Sequence, residues 1–256
     1  MIKLKTKEEI AKLRIAGRKL AKVLKETAKL VKPGVKSFDL NNFAHQMIIK
    51  MGCRPSFLNY KPTGVRRPFP ASICLSINDE IVHGIPNESE KEIKTGDVVK
   101  VDIGLVDDGL FVDSATTVIV GDAPKEVREL VSRTKEALNT AIKQCRVGGH
   151  IGDVGAAVEK VAKRAGLSVA KELTGHGVGY AVHEAPYVPN SGRPGQGEKI
   201  ENGLVIAIEP MLCLGRGDIM LARDGHTYKT RDGSLAAQFE HTIAVTEEGP
   251  IILTEN

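Results

Sequence analysis

Four acidic residues stand within segments that otherwise have the composition of buried β-strands, and this placement constrains the fold more than any other feature. Asp102 lies in "KVDIGL" and Asp113 in "FVDSAT", while Glu209 follows "VIAI" and Glu240 lies in "AAQFEHTIAV". Burying an unpaired carboxylate is strongly unfavourable. The fold must therefore give each acid a proton, a cationic partner or a metal ion.

The two aspartates are expected to face each other across a β-hairpin. If residues 106–109 form a four-residue loop, residue 105 pairs with residue 110 and Asp102 falls opposite Asp113. Directly opposed Cβ atoms lie roughly 4.5–5.5 Å apart, so the two charges repel unless a cation lies between them. A single acid in a strand is more commonly exposed or paired with Lys or Arg, and Lys100 is the nearest candidate. A shared metal site explains all four acids with one cause.

A histidine in the glycine-rich stretch "TGHGVGYAVHEAP" completes the set of candidate ligands. The glycines around His176 do not follow the GxGxxG spacing of a dinucleotide-binding loop, but they let the backbone pack closely around a ligand. Four carboxylates and one imidazole suit Mn²⁺, Fe²⁺, Co²⁺ or Zn²⁺. Five ligands exceed a tetrahedral zinc site and match a pair of divalent ions about 3.5–4 Å apart.

The pattern of apolar residues predicts one α+β domain over residues 1–256. Helices are expected over about 6–31, over 37–51 with Ser37 as its cap, over 123–145 and over 150–166. Residues 52–70 are rich in proline and glycine and are expected to form a loop. Strands are expected at "ASICLSI", in the acid-bearing hairpin, at "GLVIAIEPML" and at "AAQFEHTIAV". Each half thus has helices and acid-bearing strands, which suggests an internal duplication.

Composition indicates a cytoplasmic protein with no membrane span. No apolar run approaches the roughly 20 residues needed to cross a bilayer, and the first residues contain no secretory signal. The four cysteines form no CxxC pair, which argues against a zinc ribbon and a disulfide framework. Residues 3–36 carry twelve Lys or Arg against three Glu. This charge is typical of the solvated face of a helix, and it also suits contact with RNA or an anionic surface.

Five ordered motifs make the chain resemble the type I methionine aminopeptidases over nearly its whole length. They are "NDEIVHGIP", "VDIGLVDDGLFVDSATT", "GHGVGYAVHEAP", "AIEPML" and "QFEHT". The resemblance implies the pita-bread fold, in which two pseudo-symmetric halves form a curved antiparallel sheet covered by helices. It also implies the minimal, bacterial-style form of the enzyme.

The resemblance implies a metal-dependent hydrolase that removes the initiator methionine from nascent proteins when the second residue is small. Asp102, Asp113, His176, Glu209 and Glu240 would bind two divalent ions (Co²⁺, Mn²⁺, Fe²⁺ or Zn²⁺). Hydroxide generated by the metals would attack the peptide carbonyl, with Glu209 as the proton shuttle. His183 would hydrogen-bond the carbonyl oxygen, and His83 would contact the scissile amide nitrogen.

The methionine pocket implied by the family falls on five further positions of this chain. Its two aromatic residues are placed at Tyr60 and Phe69, on either side of a loop that is longer than the family usually has. Cys74, Val182 and His226 are the remaining pocket positions, and His226 stands where the family commonly has an aromatic residue.

Two expectations concern the association of the protein. The absence of a zipper or an additional apolar segment favours a monomer. The basic first helix is a candidate contact with the ribosome surface, through Lys12, Arg18, Lys19 and Lys25.

Three other interpretations of the sequence stay open. A prolidase or Xaa-Pro aminopeptidase has the same five ligands, although such proteins usually carry an additional N-terminal domain and a glycine at the position of Met211. An inactive pita-bread protein that binds peptide or RNA is the second, and such proteins typically lose ligands. A purely structural α+β domain is the third, and it leaves the four acids unexplained.

Overall fold

The computed structural model of the protein describes residues 2–89 and 91–255. Within these residues the chain forms four α-helices, which are α1 (Lys7–Lys29), α2 (Ser37–Lys50), α3 (Lys125–Ile142) and α4 (Ile151–Arg164). It also forms fifteen β-strands, which are β1 (Arg54–Pro55), β2 (Cys74–Ile77), β3 (Glu80–Val82), β4 (Val98–Asp107), β5 (Leu110–Ile119), β6 (Ser168–Val169), β7 (Thr174–Gly177), β8 (Glu184–Pro189), β9 (Val205–Ile208), β10 (Met211–Cys213), β11 (Ile219–Leu221), β12 (Tyr228–Thr230), β13 (Ala236–Gln238), β14 (His241–Thr246) and β15 (Gly249–Ile252).

The four predicted helices are confirmed, with one difference at a helix start. A capping box begins α1: the Glu9 N–H donates to Thr6 Oγ1 at 3.2 Å, and the Thr6 N–H donates to Glu9 Oε2 at 2.8 Å. The predicted Ser37 cap of α2 is wrong, because Lys36 is the N-cap residue. The Ser37 hydroxyl is buried and donates instead to the Pro86 carbonyl at 2.7 Å. It therefore ties α2 to a loop rather than to its own first turn.

The predicted register of the acid-bearing hairpin is wrong by two residues. Strands β4 and β5 are joined by a two-residue turn at Asp108 and Gly109, whose φ angles are 47° and 79°. Positive φ at both central residues is the requirement of a type I′ turn, which matches the twist of the strands. Gly104 therefore pairs with Asp113, and Asp102 pairs with Ala115. A shift of two residues keeps both aspartates on one face of the sheet, as diagonal neighbours.

The two predicted strands that contain glutamate are each divided at the glutamate. Strands β9 and β14 pair in a five-stranded sheet of order β15-β14-β9-β7-β8, and β10 and β13 pair in a three-stranded sheet of order β13-β10-β6. Glu209 lies between β9 and β10, and Glu240 lies between β13 and β14. Both glutamates thus occupy the places where the chain passes from one sheet to another, and the prediction that they lie inside continuous strands is wrong.

Helices cover the sheets in two layers. Helices α1 and α2 share an apolar core with β4 and β5 of the four-stranded sheet, which has the order β1-β4-β2 with β5 paired to β4. Helices α3 and α4 share a second core with β9 and β14. Strands β11, β12 and β3 form a separate three-stranded sheet. The two helix-covered units agree with the predicted duplication. No helix among the described residues is both long and apolar enough to cross a membrane.

The two halves meet along β5 and β14. The Glu240 N–H donates to the Ala115 carbonyl at 3.0 Å, and the Ala115 N–H donates back to the Glu240 carbonyl at 3.4 Å. Two residues along, the Asp113 N–H donates to Thr242 Oγ1 at 3.0 Å, and that hydroxyl donates to the Asp113 carbonyl at 2.8 Å. These bonds bring acids that are more than a hundred residues apart in sequence to the same place.

Candidate metal centre and active site

All four acids and all four histidines of the sequence prediction line one cavity. Its wall consists of Phe57, Tyr60, Pro62, Phe69, Cys74, His83, Asp102, Asp113, His176, His183, Glu209, His226 and Glu240. A larger cleft of about 660 Å³ adjoins the cavity and shares residues such as His83, His183 and Glu209 with it. One end of the cavity is acidic and the other is apolar, and the cleft leads outward from the histidines.

The five candidate ligands converge at the acidic end. Potential ligand atoms of Asp113, His176 and Glu240 all lie within 4.8 Å of one another. His176 Nε2 lies 3.7 Å from Glu209 Oε1 and 4.0 Å from Glu240 Oε1. Asp102 lines the same wall, and all five residues are buried.

Hydrogen bonds from neighbouring residues orient two of these side chains. His176 Nδ1 donates to the Gly177 carbonyl at 2.9 Å, which assigns the proton to Nδ1 and leaves the Nε2 lone pair facing the acids. Gln238 Nε2 donates to Glu209 Oε2 at 3.1 Å, and Asn190 Nδ2 donates to the Glu209 carbonyl at 3.0 Å. Sequence reasoning missed Gln238 and Asn190, since an amide in an apolar segment carries no spacing signal of its own.

The four acids are buried so close together that each one favours its protonated form. Burial raises the pKa of Asp113 to about 7. Burial also raises the pKa of Asp102, Glu209 and Glu240 well above their ordinary values, and the neighbouring carboxylates add to the rise at these three. Asp102 Oδ1 and Asp113 Oδ1 are buried and have no hydrogen-bond partner among the described residues. Orphaned carboxylate oxygens beside an imidazole lone pair are the donor set that a divalent transition-metal ion takes, so the residues present fit such ions.

The other two histidines lie next to this group, at the mouth of the cleft. His83 follows β3 and has a φ of 58°, an uncommon conformation for a residue other than glycine. His183 precedes β8, and its ring centroid lies 4.3 Å from that of His176. Its Nδ1 is hydrogen-bonded to the Tyr60 hydroxyl at 2.9 Å.

The imidazoles are neutral at pH 7. Desolvation lowers the pKa of His176 to about 3 and the pKa of His83 to about 4, and neighbouring rings add to both shifts. His183 is exposed to the cleft, and desolvation on its protein side also lowers its pKa. Each ring can therefore donate one hydrogen bond and accept another.

The apolar end of the cavity contains most of the predicted pocket residues. Tyr60, Phe69, Cys74 and His226 line it, and the Phe69 and His226 rings meet edge to face with centroids 5.4 Å apart. Val182 packs with Phe69 and Cys74 in the apolar cluster behind the wall. Phe57 and Pro62 also line the cavity and were missed, although both belong to the same long loop.

That loop is fixed at its base and at its far end. The Asn59 N–H donates to the Phe69 carbonyl at 2.9 Å, and the Phe69 N–H donates to the Tyr60 carbonyl at 2.8 Å. Arg67 forms an ion pair with Glu88, and its Nη2 donates to the Asp224 carbonyl at 2.9 Å. These contacts hold the loop against the segment that contains His226.

Comparison with known proteins establishes the class. The model of metallopeptidase family M24 matches residues 11–247, and the chain belongs to this family. The methionine aminopeptidase of Aquifex aeolicus (strain VF5) is 46% identical over 256 residues, which cover 99% of this chain and 99% of that protein. The methionine aminopeptidase of Mycoplasma capricolum is 39% identical and covers 100% of this chain and 99% of its own length. The predicted resemblance is confirmed.

Solved structures confirm the predicted pita-bread fold. The methionine aminopeptidase of Thermotoga maritima has a TM-score of 0.95 and 39% identity, with all of both chains covered. The prolidase of Pyrococcus furiosus has a TM-score of 0.74 and 22% identity, and the match covers 99% of this chain but 65% of that one. The likeness to prolidase concerns the fold alone.

Proposed function

We propose that this metallopeptidase removes the N-terminal methionine from nascent proteins whose second residue is small. The observation that carries the proposal is the convergence of four buried carboxyls and the His176 imidazole at one end of a cavity whose other end is apolar. The acidic end offers ligands for metal ions, and the apolar end offers room for a thioether side chain. The full-length similarity to methionine aminopeptidases supports the same function.

The proposed cofactors are two divalent metal ions from the set Co²⁺, Mn²⁺, Fe²⁺ and Zn²⁺. Asp102, Asp113, His176, Glu209 and Glu240 would hold them, and two divalent charges roughly balance four carboxylates. When bound, such ions supply an activated water as nucleophile and draw electron density from the peptide carbonyl.

The side chains of the protein would move the protons and hold the peptide. Glu209 has one oxygen hydrogen-bonded to Gln238 and the other, Oε1, facing His176, so Oε1 is free to take a proton from the attacking water. If the Tyr60 hydroxyl donates to His183 Nδ1, the proton of that ring lies on Nε2. Nε2 can then donate to the carbonyl oxygen as negative charge develops on it. His83, across the cleft, would contact the scissile nitrogen.

Selection of methionine would come from the apolar end of the cavity. Phe57, Phe69 and Cys74 offer aromatic and sulfur surfaces, which favour contact with a thioether. His226 adds a ring whose Nε2 has no hydrogen-bond partner among the described residues, and burial lowers its pKa, so it presents a neutral face. The neighbouring histidines would limit the size of the second residue.

Cleavage of two peptides tests the proposal against the prolidase alternative. The metal-loaded protein should release methionine from Met-Ala-Ser and leave an Xaa-Pro peptide intact. The reverse preference would assign it to the prolidases, and failure on both peptides with metal bound would indicate an inactive binding protein. Asp102→Ala and Glu240→Ala should abolish metal loading and turnover. Asp122→Ala, which removes an exposed acid shortly after β5, is the matched control.

The exposed basic face of α1 supports the second part of the proposal, contact with the ribosome near emerging chains. Lys12 and Lys19 form ion pairs with Asp108 and Asp107, whereas Arg18, Lys22 and Lys25 are exposed. Reversing the charge of these last three residues should abolish salt-sensitive cosedimentation with ribosomes. Equal cosedimentation of the variant would show that the helix is only a solvated face.

The remaining parts of the proposal concern the domain organisation, the oligomeric state and the location of the protein in the cell. The whole chain would act as one catalytic domain, as a monomer and in the cytoplasm, where nascent chains emerge. Sedimentation of the metal-loaded protein tests the monomer, and a dimer at micromolar concentration would contradict it.

A further inference from the structure

A lysine near the start of the chain is buried beneath the segment that carries His183. The N-terminal arm, residues 2–6, runs beside the turn at Gly203, and the Lys5 N–H donates to the Gly203 carbonyl at 2.7 Å. The Lys5 side chain is only 1% exposed. A buried lysine requires partners for its ammonium group, so the contacts of Lys5 show what the arm does.

The ammonium group of Lys5 has three partners. It donates to the Lys3 carbonyl at 3.0 Å, it forms an ion pair with Glu184, and it lies 4.7 Å from the centre of the Tyr180 ring. Its aliphatic part crosses Gly179, where a Cβ atom would lie 2.5 Å from Lys5 Cε. The side chain therefore fills the space beneath residues 178–183, which join β7 to β8.

A second contact fixes the same segment to the start of α1. The Tyr180 hydroxyl donates to Glu9 Oε2 at 2.8 Å, and the same carboxylate closes the capping box of the helix. The segment is thus held at Tyr180 by the helix and at Glu184 by Lys5.

His183 depends on this support more than His176 does. His176 lies within β7, whose backbone pairs with β8 on one side and with β9 on the other. His183 lies outside the strands, directly before Glu184, and its ring is hydrogen-bonded to Tyr60. The Glu184 side chain is 14% exposed and borders the cleft. Without Lys5 that carboxylate would lose its buried cationic partner, and the space beneath residues 178–183 would no longer be filled.

We propose that Lys5 is a positioning residue, whose ion pair with Glu184 holds His183 at the place where it meets the peptide carbonyl. This inference rests on the proposed function and adds a role for the N-terminal arm within it. Lys5 itself does not touch the substrate. The basic residues of the arm therefore have different roles, since Lys5 is not part of the solvated face expected from the sequence.

Steady-state kinetics of Lys5→Met test the proposal on the full-length, metal-loaded protein with Met-Ala-Ser. Displacing a catalytic group by about 1 Å can cost up to about 100-fold in rate, so kcat should fall about 10- to 100-fold. A contact that acts only in the transition state lowers kcat and kcat/KM together, so KM should stay within about twofold. The affinity for Mn²⁺, measured by calorimetry, should not change. Lys29→Met, which removes an exposed ion pair at the end of α1, should retain wild-type kcat.

The His183→Ala background separates positioning from general stability. If Lys5 acts through His183, Lys5→Met should lower kcat no further in a protein that already lacks the imidazole. An equal further loss there, a parallel loss of Mn²⁺ affinity, or wild-type kcat in the single variant would each overturn the proposal. Should Lys5→Met fail to fold, Glu184→Gln keeps a hydrogen-bonding group and is measured by the same criteria. An inactive wild-type protein would instead refute the proposed function before any variant is compared.

Discussion

Binding of metal ions should release protons, and the four buried carboxyls determine how many. Burial raises the pKa of Asp113 to about 7, and it raises the pKa of Asp102, Glu209 and Glu240 well above the ordinary range. His176 contributes no proton above about pH 5, because its pKa is lowered to about 3. The metal-free site therefore holds protons that a divalent cation must displace.

The amount of release can be worked out for Asp113. With a pKa of about 7, this carboxyl is about nine-tenths protonated at pH 6 and about one-tenth protonated at pH 8. Its own contribution to the release should fall by about 0.8 proton over that range. The other three carboxyls add to the release at pH 6, and the four titrate as one coupled group. For each proton released, the logarithm of the metal affinity rises by one further unit per pH unit. This corresponds to about 1.4 kcal/mol of binding free energy per pH unit.

Isothermal titration calorimetry with Mn²⁺ measures this release directly. The binding enthalpy, compared between two buffers of different ionisation enthalpy, gives the proton count at each pH. We expect more than one proton at pH 6 and a smaller number at pH 8. Asp113→Asn should reduce the count at pH 6 by about one if metal still binds. A count near zero at pH 6 would mean that the acids are ionised without metal, and it would refute the reasoning about their burial.

Three further predictions concern the pocket and the packing. Tyr60→Phe should lower kcat roughly threefold to tenfold with KM little changed, because His183 loses a hydrogen bond worth about 0.5–1.5 kcal/mol; unchanged kcat would remove Tyr60 from the mechanism. Phe57→Ala should raise KM for Met-Ala-Ser about tenfold through lost apolar contact, and an unaltered KM would place methionine elsewhere. Gly17→Ala should reduce the free energy of unfolding in urea by about 1–3 kcal/mol, because the new Cβ would lie 2.1 Å from the Leu253 carbonyl oxygen; wild-type stability would show that α1 can move away.

The helices and the fold class followed from the sequence because their signals are local or extend over many residues. Apolar periodicity marked all four helices, and the ordered motifs pointed to the pita-bread fold. Their boundaries differed by one to three residues, as at the end of α3, which was predicted at residue 145 and lies at Ile142.

The register of the hairpin and the ends of the strands were harder to predict, although the sequence contained signals for both. The dipeptide Asp108-Gly109 is itself a two-residue hairpin signal. The prediction instead assumed a four-residue loop over residues 106–109, which placed Asp102 directly opposite Asp113. Both registers put the aspartates on the same face, so the expectation of a shared cation did not depend on the error. Pro210, directly after Glu209, indicated that the predicted strand could not continue unbroken.

Contacts between distant residues could not be read from local patterns. Lys5 and Glu184 are 179 positions apart, and both appear in the sequence as ordinary surface charges. Gln238 likewise becomes a partner of Glu209 only when β10 and β13 pair. The chemical type of the candidate site followed from residue identity, whereas the residues that orient it depend on the tertiary fold.

Anomalous diffraction from crystals grown with Mn²⁺ tests the central claim most directly. We predict two anomalous peaks among the side chains of Asp102, Asp113, His176, Glu209 and Glu240, with carboxylate oxygens and His176 Nε2 within coordinating distance. Crystals in which these side chains point apart and no peak lies among them would contradict the account.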